Sequence, residues 1–179
     1  MGLLGLIQEC TNNSGGGTGL YLALRADVLS FTMDAVTKEY TGVTMDGATD
    51  FSLYVPEEYL LSIKPGLESK GGAHKFTTTV EIDLGKLRQT QMTALQELMD
   101  SNACGYVGII ALANDVRWVV GYDEKDTVDY KNKLKITTGA GDSKQDLMDP
   151  TNFVLTMVAV QREAIHTYTG LIPISGGSI

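Results

Sequence analysis

Hydrophobic and polar positions in this chain alternate mostly with a period of two. In KFTTTVEIDL, residues 75–84, Phe76, Thr78, Val80, Ile82 and Leu84 share one face, and Lys75, Thr77, Thr79, Glu81 and Asp83 share the other. That is the pattern of a strand with one dry and one wet side. At about 3.3 Å per residue it would run about 33 Å, longer than most strands. LYLALRADV, residues 20–28, sets Leu20, Leu22 and Leu24 against Tyr21, Ala23 and Arg25 and reads the same way. FTMDAVTKEYTGV and TDFSLYV read as further strands. In GYVGIIALANDVRWVVGYDE, residues 105–124, two apolar runs flank a polar break, which predicts a hairpin with strands at 106–112 and 116–122. NFVLTMVAVQRE, residues 152–163, is apolar on both faces: Phe153, Leu155, Met157 and Ala159 against Val154, Val158 and Val160.

One segment changes period. In QTQMTALQELMDSN, residues 89–102, Met92, Leu95, Leu98 and Met99 make a single helical stripe with Gln, Glu and Asp opposite. Thr90 is the expected N-cap, and Asn102 and Gly105 are the stop signals. Strands, one helix, then strands predict an α+β fold that is mainly β: an antiparallel β-sandwich or partial barrel with one flanking α-helix. We expect one domain over 1–179, with residues 1–19 as a flexible N-terminal arm containing TNNSGGGTG. KPGLESKGGAH, residues 64–74, reads as an exposed, Gly-rich loop.

Composition narrows the function. Hydrophobic residues make up 43% of 179, enough for a core, and a net charge of −8 disfavours binding along a phosphate backbone, which depends on Lys and Arg. Such acidity either keeps the protein soluble or repels a passing polyanion from an inner surface. Cys10 and Cys104 stand far apart, which excludes a disulfide framework. MGLLGLI is too short and lacks the basic residues of a signal peptide or span, so no membrane association is expected.

Catalytic signatures are missing. Gly15, Gly16, Gly17 and Gly19 do not keep dinucleotide-loop spacing, since Leu20 takes the sixth position and a strand follows. His74 and His166 are isolated, no metal-ligand spacing occurs, and YDEKDTVDY lacks the central Gly of a calcium loop. No nucleophile elbow is present. These absences predict no enzyme, no cofactor and no metal site. Trp118 could stack on a ligand, but its place in an alternating strand favours core or interface.

The order of elements resembles the tail-tube-like structural proteins of tailed bacteriophages, particularly those of phages infecting Bacteroides-type hosts. The resemblance is carried by ECTNNSGGGTGLYLALRADV, KFTTTVEIDLGKL, MTALQELMDSN, YVGIIALANDVRWVVGY, TTGAGDSKQDL and NFVLTMVAVQRE, which together span most of the chain after residue 9. It departs from the expected Asn-Gly or Asp-Gly hairpin turn in having Asn114-Asp115-Val116.

The resemblance implies a virion subunit, in the tail or in the host cytoplasm during assembly, that forms homo-oligomeric rings. Rings would stack into a DNA conduit, the tail tube, beside other tail or neck proteins, with DNA a partner only in transit. A single-ring head-to-tail connector or stopper is the alternative, and a small intracellular enzyme the less favoured one. Trp118, Val154, Val158 and Val160 are the expected subunit interface. From the residues themselves, open edges of long strands favour closure into a ring. Thr77, Thr79, Glu81 and Asp83 are the candidate lumen face, hydrated and ending in two acids; the alternative is that this face is simply the solvated exterior.

Overall fold

The alternation in residues 75–84 becomes one arm of a long antiparallel hairpin. The computed structural model describes residues 16–56, 60–70, 72–84, 89–124, 132–142, 152–174 and 177–178. The strands are β1 (Gly17–Leu24), β2 (Val28–Met33), β3 (Tyr40–Met45), β4 (Ser52–Tyr54), β5 (Leu61–Lys70) and β6 (Ala73–Asp83), followed by helix α1 (Gln89–Ser101). Then come β7 (Tyr106–Leu112), β8 (Arg117–Val120), β9 (Lys135–Asp142), β10 (Asn152–Gln161), β11 (His166–Thr167), β12 (Pro173–Ile174) and β13 (Gly177–Ser178). The fold is mainly β with antiparallel sheets and one α-helix, as the periodicity predicts.

A five-stranded sheet, β11-β8-β7-β1-β4, packs on a four-stranded sheet, β5-β6-β10-β9. Leu20, Leu22, Ile110 and Val120 of the first meet Leu61, Val80, Ile82, Leu155 and Met157 of the second in one buried cluster, which α1 joins through Leu95 and Leu98. The opposite face of the five-stranded sheet is buried too. Tyr21, Ala23, Val107, Ile109 and Val119 pack against Val28, Phe31 and Tyr40 of the β2–β3 ribbon and against Phe51, Tyr168 and Ile172. Both faces of the apolar β7–β8 hairpin are therefore covered by the chain itself, most fully at Tyr106 to Ile110.

Local geometry explains these elements. The hairpin loop has three residues, with Leu112 N–H donating to Val116 O at 2.8 Å and Asp115 in the left-handed region at φ 62°. A three-residue loop needs such a residue at its last position, so no Asn-Gly pair is required. Gly17, Thr18 and Gly19, expected in a flexible arm, belong to β1 instead. A Cβ on Gly17 would stand 2.5 Å from Leu61, so glycine lets the two sheets approach. Gly121 has φ +83°, and a Cβ there would lie 2.6 Å from both Leu134 N and Tyr106 O, the backbone pair that ties the β7 start to Leu134.

Several expectations need correction. The exposed stretch 64–74 is not a loop: residues up to Lys70 belong to β5, which pairs with β6 from Leu61↔Ile82 to Lys70↔Ala73. Gly66 and Pro65 disguise it, yet Pro is tolerated on an edge strand, which β5 is. FTMDAVTKEYTGV is two strands rather than one, turned by Asp34, whose Oδ1 accepts the N–H of Val36 and of Thr37, each at 2.8 Å. The helical stripe is narrower than predicted, since Leu95 and Leu98 are buried but Met92 and Met99 are half exposed. Because α1 begins at Gln89, Thr90 lies inside it rather than capping it. Residues 1–15 of the expected arm lie outside the described residues.

Candidate functional site

The four-stranded sheet has one face in the core and one face outward. On β6 the inward residues Thr78, Val80 and Ile82 are buried, while Thr77, Thr79, Glu81 and Asp83 turn outward and are partly exposed. Alternation thus places all four candidate lumen residues on one surface. Their cross-strand partners on β10 are Val160, Val158, Thr156 and Val154, in the register Thr77↔Val160, Thr79↔Val158, Glu81↔Thr156 and Asp83↔Val154.

The predicted lumen set and the predicted interface valines are therefore one surface, a juxtaposition that one-strand periodicity does not reveal. Val160 is 39% exposed, and Val154 and Val158 are partly covered by their neighbours in the sheet. Trp118 is elsewhere. It sits in β8 between Ile110 and Thr167 in the other sheet, so the four interface candidates do not form a single patch.

Lysines of β5 and β9 complete this outer face. Lys64 is the partner of Thr79 in register, and its Nζ lies 2.5 Å from Glu81 Oε2, to which Ser62 Oγ also donates at 3.2 Å. The Lys64 hydrogen bond holds the Glu81 carboxyl below its ordinary pKa. Farther out, Lys75 approaches Glu68 at 3.6 Å. Lys135 is paired in register with Val158. The surface is hydroxyl-rich and mixed in charge, not the acid-ended strip expected from β6 alone.

The edges of this sheet are β5, ten residues, and β9, eight residues. Among the described strands nothing pairs with their outer sides, but at Ile136 the β9 edge is closed by Asn102, whose Oδ1 accepts the Ile136 N–H at 2.8 Å and whose Nδ2 donates to Ile136 O at 3.0 Å. The five-stranded sheet ends instead in β11, two residues, and β4, three residues. Long edges present many unpaired backbone groups, and short ones present few.

Arg25, predicted on a strand's polar side, is buried where the backbone turns after β1; its Nη1 donates to Val28 O at 2.7 Å and its guanidinium lies 4.8 Å from the Tyr122 ring centre. A cleft of about 260 Å³ between α1 and β1 is lined by Asp27, Asp50 and Glu97 among others. His166 is near Glu163 at 4.0 Å, and His74 lies in the hairpin β5–β6. Among the described residues no group of three or more His, Cys, Asp or Glu could hold a metal ion, and no helix is long and apolar enough to cross a membrane. Comparison with family models, with curated proteins and with solved structures gave no match.

Proposed function

We propose that this chain is a structural subunit that assembles into rings around a central channel, and that the rings form a tail tube or tail barrel through which DNA passes. The observation that carries the reading is the four-stranded sheet with two long edges that no described strand pairs, β5 along its length and β9 beyond Ile136. Its strands alternate in direction from β5 through β6 and β10 to β9, since every neighbouring pair is antiparallel. Copies related by rotation about one axis would then set β9 of one against β5 of the next, again antiparallel. Four alternating strands per copy close without a mismatch for any number of copies, and closure removes the edges.

The outer face suits the wall of such a channel. Thr79 and Thr156 add hydroxyls to it, and Lys64, Lys75 and Lys135 are interspersed with Glu68, Glu81 and Asp83, so no continuous basic stripe would retain a phosphate backbone. The core-side face carries the second sheet and α1 on the outside of the ring. Partners are other copies of the chain and adjoining tail or neck proteins.

Negative-stain electron microscopy of the purified protein tests the reading. Rings that stack into tubes with an axial hole are expected. Unstacked rings would assign the chain to a single-ring connector instead, and uniform single-subunit particles at high concentration would reject both.

A further inference from the structure

We propose that the tip of the β5–β6 hairpin docks into the cleft between α1 and β1 of a second copy, with the Lys70 side chain inserted among Asp27, Asp50 and Glu97. The contact rests on the ring reading only in needing copies of the chain side by side.

The hairpin outruns the sheet that supports it. β10 ends with Gln161 opposite Phe76, whereas β5 and β6 go on pairing through Glu68↔Lys75 and Ser69↔His74 to Lys70↔Ala73. All of these residues beyond Phe76 are exposed, and Leu67, the last apolar residue of β5, is 61% exposed. A two-stranded ribbon without a third strand or a packed face is marginally stable in water, so a receiving surface would stabilise it. Lys70 stands at the end of the ribbon and makes no ion pair among the described residues, whereas Lys75 approaches Glu68 and Lys64 holds Glu81.

The cleft has the complementary character. Its volume is about 260 Å³, and its lining joins Leu22, Leu24 and Leu98 to Asp27, Asp50 and Glu97. Leu22 and Leu98 belong to the inter-sheet core and Leu24 packs against it, so the apolar part is fixed in place. None of the three carboxylates has an ion-pair partner among the described residues. Three like charges around one opening repel each other and favour a cation between them. The volume falls below the roughly 300–1,000 Å³ of small-molecule sites and suits one long side chain. Lysine meets both demands, since its methylene stem covers apolar surface while its ammonium stays among the carboxylates.

Other lysines do not project in this way. Lys135 lies within the sheet, opposite Val158 of β10, and Lys38 sits in the β2–β3 turn, its carbonyl held 3.1 Å from His166 Nδ1 of β11. Because the tip and the cleft are different surfaces, the contact is heterologous, and each copy can give one tip and receive one, as rings or stacks of rings require.

Carbodiimide coupling tests the contact, because it joins a lysine to a carboxylate only where the two touch. Unlabelled and heavy-isotope-labelled full-length protein, assembled together and coupled, should give a mixed-label peptide linking Lys70 to Asp27, Asp50 or Glu97. The Lys64–Glu81 pair, 2.5 Å apart within one copy, should give a single-label link in the same sample. If that internal link forms in a sample of assembled mass but Lys70 couples to nothing, or to a carboxylate outside the cleft, the docking is overturned and the ring stands. The same result from a monomeric protein removes the ring reading too. A Lys70 link found only in single-label form would place the contact within one chain and overturn the docking as well. As an independent arm, Lys70→Glu, which brings a fourth carboxylate to the cleft, should raise the protein concentration at which the assembled mass appears, and Lys70→Arg should not. Equal thresholds for the parent and Lys70→Glu contradict the docking.

Discussion

Thr79 and Val158 face each other directly across the β6–β10 ladder, on the outward side of the four-stranded sheet. One was expected to line a channel and the other to bury itself between subunits. As immediate neighbours on one surface, they share one environment, and the valines there are spaced among hydroxyls and charges. On the ring reading this whole face meets the channel, and the strand edges, rather than the valine side chains, make the subunit contact.

That division predicts how DNA responds to charge on the face. Glu81→Lys with Asp83→Lys should leave assembly in place but turn a non-retaining channel into one that holds duplex DNA, with binding that weakens steeply as salt rises. Filter binding of assembled protein at low and high salt checks this. Equal, negligible retention by parent and variant would move the face to the exterior.

The helix is held to the sandwich by two residues. Leu95→Ala should cost about 2–5 kcal/mol, because its buried side chain leaves a cavity in the inter-sheet core. Met92→Ala and Met99→Ala should each stay within about 0.5 kcal/mol if those half-exposed side chains carry no further contact. Urea unfolding of the three variants provides the comparison, and a similar loss at all three would restore the wider stripe.

Thr78 offers a stabilising change. Its side chain is 1% exposed on the core face of β6, and its Oγ1 has no hydrogen-bond partner among the described residues. Valine has nearly the same shape without the unpaired hydroxyl, so Thr78→Val should gain about 1 kcal/mol, seen as a raised Tm. A lowered Tm would mean that the hydroxyl is satisfied in solution.

Alkaline pH should unfold the chain through its buried tyrosines. Burial, aided by Tyr54, pushes the Tyr106 phenol up to about 12, and burial outweighs Arg117 to push Tyr168 to about 12. Tyr40 is raised still further, again mainly by burial. Their folded pKa values exceed the unfolded value near about 10, so the native state keeps protons that the unfolded chain releases. Their contribution is complete below about pH 10 and is lost as pH rises toward 12. Phenolate absorbance and circular dichroism should change together in that window. Titration of every tyrosine near its ordinary pKa with the fold intact would contradict the burial.

How much of this was legible in the sequence depended on the residue types. β6 and the β7–β8 hairpin were readable because Val80, Ile82, Ile109 and Val119 keep strict alternation or continuous apolar runs. β5 and β9 were not, since Pro65, Gly66, Gly139 and Gly141 carry turn chemistry in local sequence, while on an edge strand tertiary pairing overrides it. The missed strands are the two edges on which the assembly reading rests. Burial of both faces of the hairpin was equally hidden, because an apolar face does not say whether its cover comes from the same chain. Here Phe31, Tyr40 and Tyr168 supply it.

Native mass spectrometry tests the central claim most directly. A closed ring predicts one narrow species, or stacks of it, whose mass is an integer multiple of 19.3 kDa and does not drift with concentration. A single 19.3 kDa species at every concentration, or an open-ended ladder of masses without a preferred size, would contradict closure through the β5 and β9 edges.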